Sequence, residues 1–138
     1  MEFLTVLGFD FGLKQIGVAV GQTVSNNATA IGVVAYRNNS ADWAQIDFFV
    51  KKWCPNAFVV GMPLHMDGSE QSFQPQLKGF ANSLEQRYQR KLYWVDERLT
   101  TVAAKEQLFE EGGKRMLTKA NIDAKSAEII LQQWMRAR

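Results

Sequence analysis

Apolar residues along the chain follow two rhythms. In the first third they crowd into short runs rich in Val, Ile, Phe and Ala, and residues 3–10, 15–24 and 28–36 each read as a strand. Gly12-Leu13-Lys14 turns the first run into the second and Ser25-Asn26-Asn27 the second into the third, which predicts an antiparallel meander. From Trp43 the spacing becomes helical. Trp43, Ile46, Phe49, Val50 and Trp53 mark an amphipathic helix over 41–53, with Ser40 or Asp42 as its cap, Pro55 as its stop and the two tryptophans as core contacts. Ala57-Phe58-Val59-Val60-Gly61 is a continuous apolar run between turn signals, the mark of a strand buried on both faces. Beyond a loop over 62–68, Phe73, Leu77, Phe80, Leu84 and Tyr88 predict a long helix from about 69 to 90, with Pro75 tolerated in its first turns.

Lys91 to Val95 reads as a fifth strand, ending in Asp96-Glu97-Arg98. Thr100 or Thr101 caps the next helix, which runs to about Glu111 and stops at Gly112-Gly113. The basic segment from Lys114 to Lys119 is expected to be mobile, and a last helix follows Asn121-Ile122-Asp123 with Ala127, Ile130, Leu131 and Trp134 facing inward. Strand–helix–strand crossovers require parallel pairing. The expected architecture is therefore α/β: a mixed five-stranded sheet, its first three strands the meander, with helices on both faces and residues 1–138 forming one domain. Ligands of such sheets gather at the carboxyl ends of strands. Asp10 ends the first strand and Asp96-Glu97 the fifth, so both belong at one edge if the first strand is central.

Composition narrows the chemistry mainly by exclusion. A single cysteine, Cys54, excludes a disulfide framework and a Cys-rich zinc site, and reads as a small filler near a helix end. His65 is the only histidine, lies in a Pro- and Gly-containing loop and reads as a surface residue; no His-based zinc site is available. No serine or cysteine has a nucleophile's setting. Gly8-Phe9-Asp10-Phe11-Gly12 leads into a strand and not a helix, so it is no dinucleotide fingerprint. Charged or polar residues interrupt every apolar run, and Met1-Glu2 leads directly into a strand without a basic leader, so the expectation is a cytoplasmic chain with no membrane partner. The net charge of +2 is small but unevenly spread. Residues 1–77 hold four basic against six acidic side chains, and residues 78–138 hold twelve against eight. The clusters Arg87, Arg90, Lys91 and Lys114, Arg115, Lys119, Lys125 suit contact with a polyanion.

Four acids stand at element ends instead of on solvated helix faces: Asp10, Asp96, Glu97 and Asp123. Taken singly they have bland roles open to them, such as Asp10 as a turn cap, Asp123 as a helix cap and Asp96 as a partner of Arg98 or a neighbouring lysine. Together they point to metal chemistry. Converging carboxylates need positive charge among them, which hard divalent cations with oxygen ligands supply. Two such ions stabilise both the attacking and the leaving oxygen of an in-line displacement at phosphorus.

Four segments carry a resemblance to a known family. They are Gly8-Phe9-Asp10-Phe11-Gly12-Leu13-Lys14-Gln15-Ile16-Gly17-Val18-Ala19, Val59-Val60-Gly61-Met62-Pro63-Leu64-His65-Met66-Asp67-Gly68, Asp96-Glu97-Arg98-Leu99-Thr100-Thr101, and Ile122-Asp123-Ala124-Lys125-Ser126-Ala127 continuing to Ile129-Ile130-Leu131. In this order and spacing the chain resembles the YqgF family, the RuvX-type nucleases related to Holliday-junction resolvases. The likeness spans essentially the whole chain, and two positions depart from it. Gln15 stands where many members have Arg, and His65 where many have Asn.

The resemblance implies a ribonuclease H-like fold and metal-dependent phosphodiester hydrolysis in maturing the precursor of 16S ribosomal RNA. It further implies Asp10, Glu97 and Asp123 as the catalytic, metal-holding set. Glu97 is preferred to Asp96 on the resemblance alone, because consecutive strand residues point to opposite faces. The expected cofactor is Mg²⁺ or Mn²⁺. The expected partners are structured RNA or branched DNA, and a pre-ribosomal particle. Lys14 and Arg98 are expected to hold phosphate, and Lys114, Arg115 and Lys119 to grip the backbone. A Holliday-junction resolvase and a non-catalytic RNA-binding assembly factor are the rival readings. Actin-like phosphotransfer is disfavoured, because that architecture sets nucleotide between two such domains.

Overall fold

A computed structural model describes residues 4–63, 72–97 and 100–138. The meander forms as β1 (Thr5–Asp10), β2 (Gln15–Gln22) and β3 (Asn27–Arg37), each antiparallel to the one before. Asn38 and Asn39, both at positive φ, then fold the chain back. The return makes a strand that sequence periodicity does not reveal, the two-residue β4 (Ser40–Ala41), paired with the end of β3. The sheet thus has six strands where five are expected, because a hairpin this short carries no alternation to read.

Helix α1 (Trp43–Trp53) is capped by Asp42, whose side chain accepts from Gln45 N. Cys54 follows in the left-handed conformation and is exposed, not the filler expected of it. β5 (Ala57–Pro63), α2 (Gln74–Tyr88) and β6 (Lys91–Glu97) come next, and β5 and β6 join the sheet parallel to β1. Across the sheet the order is β4-β3-β2-β1-β5-β6, so β1 is central and flanked by one antiparallel and one parallel neighbour. The strand order reverses there. Asp10 and Glu97 end their strands at the same edge, as the crossover argument requires.

Alternation along the strands sorts the core into two layers. Leu7, Phe9, Ile16, Val18, Phe58 and Val60 face α1 and α2, meeting Ile46, Leu77, Phe80 and Leu84. Val6, Ala19, Ala57 and Val59 face α4 (Lys119–Arg136), meeting Ala127, Ile130, Leu131 and Met135. Helix α3 (Thr100–Gly112) lies beside α4, and the two are joined through a 3₁₀ turn over Lys114–Met116. Within that basic connection Arg115 Nε donates to Gly112 O at 3.2 Å and Asn121 Nδ2 to Met116 O at 3.0 Å. α4 also covers the open edge of β3, where Ala28 N donates to Gln132 Oε1 and Ala30 N to Glu128 Oε1. Among the described residues no helix is long and apolar enough to cross a membrane.

Candidate active site

Strand parity assigns the acids to faces. Tyr93 and Val95 of β6 pack in the layer under α4, and Glu97, two residues on, shares their side. Asp96 points the other way. Of the two, Glu97 is the one on the α4 side, and it is buried, at 8% exposure. Asp10 shares the α4 side with Val6 by the same alternation.

Asp123 reaches this place through a glycine. Asp10 is paired across the hairpin with Gly17, and a Cβ on Gly17 would lie 1.8 Å from the Asp123 carbonyl oxygen. Backbone therefore meets backbone where α4 crosses β2, which no side chain at position 17 would permit. Asp123 is in the second turn of α4 and is not its cap, since the helix starts earlier than expected. Thr118 is the N-cap, its hydroxyl accepting from Asn121 N at 3.1 Å. Asp123 is buried, at 6% exposure.

Asp10 feels both of the other carboxylates. Burial first, then the charges of Glu97 and Asp123, push the Asp10 carboxyl well above its ordinary range, while the Lys119 ammonium pulls it back. Burial also raises Glu97, with the Thr100 hydroxyl opposing and the Asp96 charge adding. Thr100 stands near Glu97 without meeting the geometry of a full hydrogen bond, and its Oγ1 is buried without a partner. Glu97 Oε2, Asp123 Oδ2 and Ser126 Oγ are likewise buried and have no hydrogen-bond partner among the described residues. Buried polar atoms are normally satisfied, and the two carboxylate oxygens among them, Glu97 Oε2 and Asp123 Oδ2, are hard oxygen donors of the kind a divalent cation takes. Among the described residues no three His, Cys, Asp or Glu side chains are arranged so that they could hold a metal ion as they stand. Asp123 Oδ1 is engaged by Lys119 Nζ at 2.8 Å.

Of the residues expected to hold substrate, Lys14 is exposed in the turn after β1, and Lys114 and Arg115 are exposed on the 3₁₀ turn. Arg98 and His65 lie outside the described residues. Gly17 and Thr100 gain roles beyond the sequence reading, and Lys119, expected on the nucleic-acid backbone, also pairs with Asp123. For Gly17 a usable signal existed, a glycine facing Asp10 across a hairpin. For Thr100 and Lys119 none did, because their importance comes from what another element places beside them.

Comparison with known proteins bears on the family and the fold. A family model described as "RuvX: Holliday junction resolvase" matches residues 4–137. A protein of Proteus mirabilis named "Putative pre-16S rRNA nuclease" is 48% identical over 97% of this chain and 96% of its own length. A Yersinia pseudotuberculosis protein of the same name is 45% identical over 94% and 93%. Among solved structures, T. thermophilus RuvC in complex with a Holliday junction substrate superposes with a TM-score of 0.60 at 16% identity, covering 98% of this chain and 95% of that one. Fowlpox virus resolvase with Holliday junction DNA gives 0.56 at 12%, covering 96% and 97%. The fold is thus that of the RuvC-type, ribonuclease H-like resolvases.

Proposed function

The chain belongs to the RuvX family, and from that premise we propose that it is a metal-dependent endonuclease that processes the precursor of 16S ribosomal RNA in the cytoplasm. The observation carrying the reading is the meeting of Asp10, Glu97 and Asp123 at one end of the sheet, with Glu97 Oε2 and Asp123 Oδ2 buried and unsatisfied. The relatives at 45–48% identity carry the ribosomal RNA name, whereas the junction-binding structures share 12–16% identity and speak to fold alone.

The donor set fits Mg²⁺ or Mn²⁺, since it consists of hard carboxylate and hydroxyl oxygens with no sulfur or imidazole. Such ions, when bound, supply an activated water and charge stabilisation at the phosphoryl oxygens. The protein's own part is positional. β1 and β6 present Asp10 and Glu97 from a rigid sheet, and the Gly17 contact sets Asp123 against them from a third direction. Burial and the neighbouring charges of Glu97 and Asp123 leave the Asp10 carboxylate undercompensated, which primes it to accept a cation. Lys14, Lys114 and Arg115, exposed on the segments described above, would hold backbone phosphates, together with Arg98 and Lys119; binding of RNA should then weaken steeply with salt.

A direct test sets the wild type against Asp10→Asn on precursor ribosomal RNA and on a four-way DNA junction, with Mg²⁺ and with chelator. Cleavage of the RNA by the wild type alone, dependent on Mg²⁺, is expected. Cleavage that survives Asp10→Asn or chelation overturns the reading. Preferential cutting of the junction transfers it to the resolvase named in the family description, and tight RNA binding without cleavage to an assembly factor.

A further inference from the structure

Lys119 differs from the other basic residues of the carboxyl-terminal half. It is the first residue of α4, and its side chain is 68% exposed, yet its Nζ lies 2.8 Å from an oxygen of Asp123, whose side chain is only 9% exposed. Residues four apart share one helix face, so α4 itself delivers the ammonium to the carboxylate. An ordinary surface pair of this spacing would end there. Here the carboxylate is buried and its other oxygen unpartnered, and the Lys119 charge also reaches Asp10. Lys125, two residues beyond Asp123, is engaged elsewhere, 2.8 Å from both Glu111 and Glu128.

Resting on the nuclease reading, we propose that Lys119 is the resident counter-ion of the acid centre, holding Asp123 Oδ1 until a divalent cation displaces it. A single ammonium answers one oxygen and leaves Glu97 Oε2 and Asp123 Oδ2 unsatisfied. A divalent cation offers twice the charge and several coordination directions, so exchange favours the cation wherever it is plentiful. Leaving costs Lys119 little, because its stem is already largely in solvent and water rehydrates the ammonium. Lys119 is thus a positioning residue that holds Asp123 Oδ1 in the substrate-free centre and sets the cation concentration at which it loads.

The test is Mn²⁺ binding to the full, metal-free chain, read by electron paramagnetic resonance at constant ionic strength, with melting temperatures measured alongside. Lys119→Met should bind Mn²⁺ about fivefold more tightly than the wild type, the factor expected when a competing ion pair of this exposure is removed. Lys119→Arg, which keeps the charge, should stay near the wild type. Mn²⁺ should also raise the melting temperature of Lys119→Met by more than that of the wild type, a response that a merely helix-stabilising lysine would not produce. Unchanged or weakened Mn²⁺ affinity in Lys119→Met overturns the counter-ion role; if that variant fails to fold, Lys119→Gln is judged by the same criterion. Asp10→Asn separates the two levels. A wild type that binds no Mn²⁺, or binds it as well without Asp10, overturns the metal-nuclease reading and this inference with it.

Discussion

On the face of the sheet covered by α1 and α2, aromatic rings meet edge and face. Phe9 lies 5.9 Å from Phe58 and 5.6 Å from Phe80, and Phe11 lies 4.9 Å from Tyr36, measured between ring centroids. On the face covered by α4 the sheet offers Gly8, Gly17, Ala19 and Gly61 instead, and a Cβ on Gly8 would lie 2.8 Å from Leu131 Cβ. The first face fills space with large side chains; the second removes side chains so that a helix can lie directly on the strands. Every acid of the site belongs to the second. Volume stabilises one layer, and close approach positions carboxylates in the other, so stability and chemistry can be disturbed separately.

The comparison breaks most severely at Phe9. Phe9→Ala removes a buried ring from the aromatic layer and should cost about 4 kcal/mol in urea or thermal unfolding. The surviving folded fraction should still bind Mn²⁺, because Asp10 faces the other layer. Gly17→Ala is the converse experiment. Its methyl group collides with Asp123 backbone, not with a pliable side-chain tip, so it should cost about 3 kcal/mol and also lower Mn²⁺ affinity by moving α4. Retention of both properties would mean that the crossing of α4 over β2 does not set the site.

Glu97→Gln against Asp96→Asn sharpens the comparison within one strand. The first should reduce RNA cleavage by at least about 100-fold, as loss of a direct ligand exceeds loss of an outer-shell partner. The second, on the opposite side of β6, should stay within about twofold of wild type. Equal losses in single-turnover assays would undo the parity argument.

The smallest effect lies in the pH dependence of stability. Folded Asp10 and Glu97 hold their protons more tightly than in the unfolded chain, whose ordinary values are 3.8 and 4.5. The resulting penalty is absent below about pH 4 and grows as the pH rises through their folded values. Metal-free protein should therefore lose stability over that rise, and Asp10→Asn or saturating Mn²⁺ should flatten it. The aromatic layer holds none of these acids, and Phe9→Ala should leave the pH slope unchanged.

Periodicity and turn chemistry made much of this molecule legible in advance. Apolar runs between Gly, Asn and Pro marked the meander, β5 and β6, and helical spacing marked α1, α2 and the core face of α4, because alternation and 3.6-residue periods are direct consequences of burial on one side. The edge strand β4 was too short to carry a period. The start of α4 was misplaced because Asp123 is as good a cap chemically as Thr118, and only the course of the chain decides which one is used.

What the sequence determined by itself was the inventory: one acid after the first strand, acids after the last strand, a further acid in the terminal helix and no competing histidine or cysteine chemistry. Tertiary structure decided which of those acids share a face, that Gly17 lets the Asp123 backbone approach the strand opposite Asp10, and that Lys119 pairs with Asp123. The division has a physical cause. Residue type and period are local properties of a chain, whereas field, burial and unsatisfied oxygens arise only when separate elements bring their side chains within a few ångströms of one another.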